Sequence, residues 1–138
     1  MAVTPIEYML CFGMIGCCLT LHFSDSRIPK EFNETLQGLE ETLVANGRPR
    51  TQPESALTPH RECLIWISMA ATGALEMAHN LSTTSAVLAL TLQRYPDETS
   101  NWDTLEKILA KYLWNDVLAR QWKRFWRRGI HRQKRLRR

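Results

Sequence analysis

The last nineteen residues, Arg120 to Arg138, contain no Asp or Glu. A locally neutralised C-terminus is therefore excluded. Glycine and proline are scarce, six of each in 138 residues. That scarcity excludes a loop-rich all-β fold and a low-complexity chain. No segment of any length alternates apolar and polar residues with period two, so strands have no support. No self-similarity recurs at the periods of solenoid proteins. The one long apolar stretch, Tyr8–Leu21, reads YMLCFGMIGCCLTL. Its length falls short of the roughly 20 residues a membrane-spanning helix needs. Met1–Glu7 has no Lys or Arg, against the pattern of a signal peptide. The expectation for this stretch is a buried core helix, and the alternative is a membrane anchor.

Signatures of chemistry are equally sparse. There is no phosphate loop, no GxGxxG and no HExxH. The four cysteines, Cys11, Cys17, Cys18 and Cys63, form no CxxC pair. No His lies at a ligand offset from two of them, so no metal site is expected. Buried reduced thiols, acting as small hydrophobes, are the expectation. The histidines His22, His60, His79 and His131 are scattered one per segment without a nearby carboxylate pair. A nucleophile needs a base within hydrogen-bond reach, and neither Cys63 nor Ser68 has one close in sequence. The expectation is a non-enzyme without cofactors.

What is present is a charge asymmetry. Residues 1–119 hold eight basic and fourteen acidic residues, a net of −6, whereas Arg120–Arg138 carries +10. The sequence pI of about 9.1 thus belongs to the C-terminal end and not to the body. Such asymmetry points to a polyanionic partner or to an address read by a receptor.

The apolar pattern predicts an all-α fold of about six helices in a single domain. The first covers residues 5–23, with Pro5 in its first turn. Its interior glycines, Gly13 and Gly16, call for close packing against another helix. The second opens at Pro29 and runs to about Ala45, with Phe32, Leu36, Leu39 and Leu43 on one face. Asn46-Gly47 reads as its stop. A loop near residues 46–58 follows, rich in proline and polar residues. Thr58-Pro59 starts the third helix, which runs to His79 and should form the core. The fourth spans Ala86–Tyr95 and is ended by Pro96. Ser100-Asn101-Trp102-Asp103 resembles a capping box for a fifth, with Asp in place of the preferred Glu, and Trp102, Leu105, Leu109, Tyr112 and Leu113 lie on one face. Asn115-Asp116 caps the last, ended by Gly129.

Trp102, Trp114, Trp122 and Trp126 form an aromatic ladder leading into the basic segment. Helical spacing favours a core stripe; the alternative is a stacking platform for bases. The division expected is a helical domain over 1–129 and a disordered basic tail over 130–138. The basic residues offered as a nuclear-import or polyanion-binding site are Arg127, Arg128, Arg132, Lys134, Arg135, Arg137 and Arg138.

Several of these segments together resemble a known family. They are Arg61-Glu62-Cys63-Leu64-Ile65-Trp66-Ile67, Leu92-Gln93-Arg94-Tyr95-Pro96, Trp102–Leu109, Tyr112-Leu113-Trp114-Asn115-Asp116, and Trp122 with Trp126. The apolar helix near residues 8–23, followed by Phe23-Ser24-Asp25, joins them. The spacing is similar to the C-terminal part of the fungal-specific transcription factor domain, the helical regulatory region of fungal zinc-cluster transcription factors. The resemblance covers about residues 5–128. It implies a nuclear, non-catalytic role in transcription regulation, with the transcription machinery or a parent regulator as protein partner. A nuclear import receptor would read the basic end. The family's six-cysteine zinc cluster is not in this sequence, so sequence-specific DNA binding is not implied, and any nucleic-acid binding would be weak and non-specific. The alternatives are a membrane-associated protein anchored by Tyr8–Leu21 and the basic end, and a non-specific nucleic-acid binder.

Overall fold

A computed structural model describes residues 5–23, 28–47, 61–79, 86–112 and 114–136. Among them the chain is all-α. The helices are α1 (Pro5–His22), α2 (Asn33–Gly47), α3 (Arg61–His79), α4 (Ala86–Arg94), α5 (Pro96–Thr99), α6 (Trp102–Leu109) and α7 (Asp116–Leu136), with a 3₁₀ turn at Lys30–Phe32 leading into α2.

α3 is the centre of the domain, touching α1, α2, α4, α6 and α7. Its sequence explains the position: Leu64 to Leu75 is apolar or small except for Ser68 and Thr72, so nearly every face can be covered. Ile65, Trp66, Ile67, Met69 and Leu75 are wholly buried. Each such side chain contributes about 1.5–3 kcal/mol through loss of apolar surface to water. The hydroxyl of Thr72 donates to the Ser68 carbonyl at 2.8 Å, which satisfies it inside the helix.

α1 lies along α3 at very short range. A Cβ on Gly16 would sit 2.7 Å from the Ala70 carbonyl oxygen, and one on Gly13 would sit 2.9 Å from the Trp66 ring. The two glycines and the facing Ala70 and Ala71 let the backbones approach where larger residues would hold them apart. The expected close packing is therefore found. α2 presents Leu36, Leu39 and Leu43 to the core, with Phe32 packed at the edge.

Several expected boundaries move. The start at Thr58-Pro59 and most of the loop near 46–58 lie outside the described residues. Pro96 ends α4 as expected but also opens the single turn of α5, because a proline at the first helical position has no amide to lose. α6 stops at Leu109 instead of continuing through Tyr112. The bonds from Lys111 N–H to the Ile108 carbonyl and from Tyr112 N–H to the Leu109 carbonyl tighten the chain into a turn. Tyr112 then stacks on Trp66, ring centres 5.7 Å apart.

The largest correction concerns Gly129. It does not end the last helix: α7 passes through it and continues to Leu136. Gly129 is buried where α7 crosses α4, and a Cβ there would lie 2.8 Å from Leu92 and 3.0 Å from Leu88. Close approach explains this glycine, and the division into 1–129 and 130–138 does not coincide with a helix end. Arg137 and Arg138 lie outside the described residues.

The thiols also differ from expectation. Cys17 is buried, Cys63 is half-buried, but Cys11 and Cys18 are exposed. Among the described residues, no helix is long and apolar enough to cross a membrane.

Candidate functional site

The basic segment is carried by α7, and its placement begins at the cap. Asn115 Oδ1 accepts from the Leu118 N–H at 2.9 Å, fixing the first turn. Asp116 in that turn and Lys134 and Arg135 in the last turn both match the helix dipole. Leu118, Trp122, Phe125 and Gly129 are buried, and their steps of four, three and four make one stripe. Ile130 packs at the edge of the same core.

The aromatic ladder is part of this attachment. Trp122 is wholly buried. Its ring lies 5.1 Å from Trp114, Trp114 lies 6.4 Å from Trp102, and Trp102 lies 5.5 Å from Trp126. The Trp126 indole N–H donates to the Thr99 carbonyl at 2.6 Å. Four indoles packed on one another and on the core leave no row of free ring faces for bases. Gln121 adds a tie to the central helix, its Nε2 donating to the Gly73 carbonyl at 3.1 Å.

With one side of α7 fixed, the other is determined. Arg120, Arg124, Arg127, His131 and Lys134 are all exposed and recur at steps of four, three, four and three. On a helix this spacing is a single row. From Arg120 to Lys134 the row is about 21 Å long at 1.5 Å per residue. Lys123 borders it on one side and Arg135 on the other. The only acidic residue on α7 is Asp116.

The seven basic residues singled out in the sequence separate in the structure. Arg127 and Lys134 belong to the row, and Arg135 flanks it. Arg128 turns away and pairs with Glu76 near the end of α3. Burial holds the Glu76 carboxyl above its ordinary value of 4.5, while Arg128 and Arg124 pull it down. Arg132 is exposed but continues the side of α7 that faces the core further back. Arg137 and Arg138 are outside the described residues. Arg120 and Arg124 were not among the seven, yet they complete the row. The signal for them was present: the same helical spacing, run back from Arg127.

Elsewhere two ion pairs join distant parts of the fold. Arg61 pairs with Glu98 through two hydrogen bonds and lies over the Tyr95 ring at 4.8 Å. Lys111 pairs with Glu62 at 2.9 Å on the surface. His22 on α1 and His131 on α7 are both exposed. Among the described residues, no three His, Cys, Asp or Glu side chains converge on one point.

Comparison with family models, with curated proteins and with solved structures finds no match to this chain.

Proposed function

We propose that this chain is a non-catalytic interaction domain that engages polyanionic surfaces through the outer row of α7. One observation carries the reading: Arg120, Arg124, Arg127 and Lys134 stand exposed in line on a helix whose opposite side is locked into the core. A rigid row of cations suits a repeating array of phosphates or carboxylates. Contacts to phosphates carry no sequence information directly, so binding through such an array is insensitive to nucleic-acid sequence. The placement in transcription regulation, in the nucleus, with the transcription machinery or a parent regulator as partner, rests on the sequence resemblance alone.

Each part has its own test. The triple variant Arg124→Glu, Arg127→Glu, Lys134→Glu should keep its helical circular dichroism and lose binding to short duplex DNA by at least about a hundredfold. Undiminished binding refutes the assignment to this row. For the nuclear placement, tagged full-length chain should concentrate in nuclei, and removal of residues 132–138 should abolish that concentration. Carbonate-resistant sedimentation with membranes would refute it.

A further inference from the structure

α1 carries a second surface that the basic row does not involve. Its inner side is covered by α3, but Leu10, Met14 and Ile15 are exposed, Met14 by 48%. Cys11 and Cys18 are exposed beside them, with Glu7 and His22 at the two ends. These seven residues fall within one arc of the helix, an apolar centre with polar ends.

The order of residues in that arc is nearly palindromic. Reflected about the midpoint between Met14 and Ile15, Met14 exchanges with Ile15, Cys11 with Cys18, and Glu7 with His22. Leu10 alone maps onto a buried position, Leu19. Under twofold symmetry each of these pairs stands face to face across the interface, so the patch complements itself. We propose that α1 is a homodimerisation surface, on which a second copy of this chain packs its own α1 antiparallel about an axis at Met14 and Ile15.

Charge favours that occupant and that direction. Antiparallel packing sets Glu7 of each copy opposite His22 of the other, whereas parallel packing sets Glu7 against Glu7. Glu7 also has a contact within its own chain, so the apolar centre supplies the association and the ends select its direction. The described part of α1 has no Lys or Arg, so an acidic partner or an anionic membrane finds nothing to bind. The contact is one helix about 27 Å long. A strip of that length and about 10 Å wide covers well under the roughly 800 Å² per partner of a standard interface, so the dimer dissociates on dilution.

The exposed thiols provide the test. Sedimentation of the full chain should show a monomer–dimer equilibrium. Met14→Glu places two carboxylates near the axis and should weaken it at least tenfold without loss of helicity. In a Cys63→Ser background, a short bismaleimide should link two copies covalently. Cys11→Ser alone and Cys18→Ser alone should each give no linked dimer, since each leaves a thiol with no opposing thiol. An equimolar mixture of the two variants should restore it, because Cys18 of one then faces Cys11 of the other. A monomer at all concentrations overturns the proposal, as does a linked dimer from either single variant alone. Protection of Cys11 and Cys18 by zwitterionic vesicles, without dimer formation, would assign the surface to lipid and also overturn it.

Discussion

α1 and α7 are both long helices laid on the outside of α3, and they achieve it by opposite means. α1 attaches through small residues: Gly13 and Gly16 bring its backbone against Ala70. α7 attaches through large ones: Trp122 and Phe125 fill the core, and Trp126 is held by the Thr99 carbonyl. Their outer faces differ as sharply. α1 shows Leu10, Met14 and Ile15, and α7 shows a row of cations. A helix that approaches closely needs little side-chain volume on its inner side, so its apolar residues are distributed around it. A helix that inserts indoles concentrates its apolar volume on one side and leaves the other free for charge. The two attachments therefore leave two surfaces of different chemistry on one small domain.

The contrast is sharpest under truncation. Trp122→Ala removes a wholly buried indole and should cost about 3–5 kcal/mol. Small domains have only about 5–15 kcal/mol in total, so chemical denaturation should show a barely folded protein. An effect below 1 kcal/mol would mean that α7 is not held by its aromatic stripe.

Enlargement breaks the comparison the other way. Alanine favours a helix interior over glycine by about 1 kcal/mol. At Gly16 the new Cβ meets the Ala70 backbone at 2.7 Å, which cannot rotate away, and the net should be a loss of about 1–3 kcal/mol. At Gly129 it meets the tips of Leu92 and Leu88, which can rotate. There the gain and the cost nearly offset, leaving a change within about 1 kcal/mol. Equal destabilisation at both sites would remove the distinction between backbone and side-chain attachment.

Thiol chemistry reads the two sides of α1. Burial, aided by neighbouring Cys18, pushes the Cys17 thiol up to about 12. Because the thiolate is the reactive form, Cys17 should be alkylated only on unfolding. Cys11 and Cys18 should react in the native protein. Mass mapping after brief alkylation checks this, and early labelling of Cys17 would place α1 the wrong way round.

The smallest effect concerns the contact between α7 and α3. Glu76 holds its proton more tightly folded than unfolded. Its contribution to stability is therefore full below about pH 4.5, the ordinary value, and declines as pH rises through the folded value. Glu76→Gln should remove that decline, so that over this interval stability rises more, or falls less, with pH than in the parent. A steeper fall with pH in the variant would contradict the sign.

The helices themselves were legible in the sequence because local chemistry writes them. Leu36, Leu39 and Leu43 mark an inner face, and Trp122 belongs to the core. The cap before Trp102 was legible to within one residue: it falls on Asn101, which accepts from the Asp103 and Thr104 amides, and not on Ser100. What was not legible depends on partners distant in sequence. Gly129 reads as a stop until Leu88 and Leu92 are seen against it. Tyr112 reads as helical until Trp66 is found beneath it. The row on α7 was half visible, because treating Gly129 as an end left Arg120 and Arg124 apart from Arg127 and Lys134. The exposed face of α1 was hidden for a different reason: a helix apolar nearly all round does not reveal which of its sides a single neighbour will cover.

The central claim, that the outer row of α7 is the working surface, is tested most directly by salt. Binding of the full chain to duplex DNA should be measured as sodium chloride is raised. Four seated cations predict a slope of log affinity against log salt of about −4, the same for unrelated sequences. A slope near zero, or a strong preference for one sequence, would contradict it.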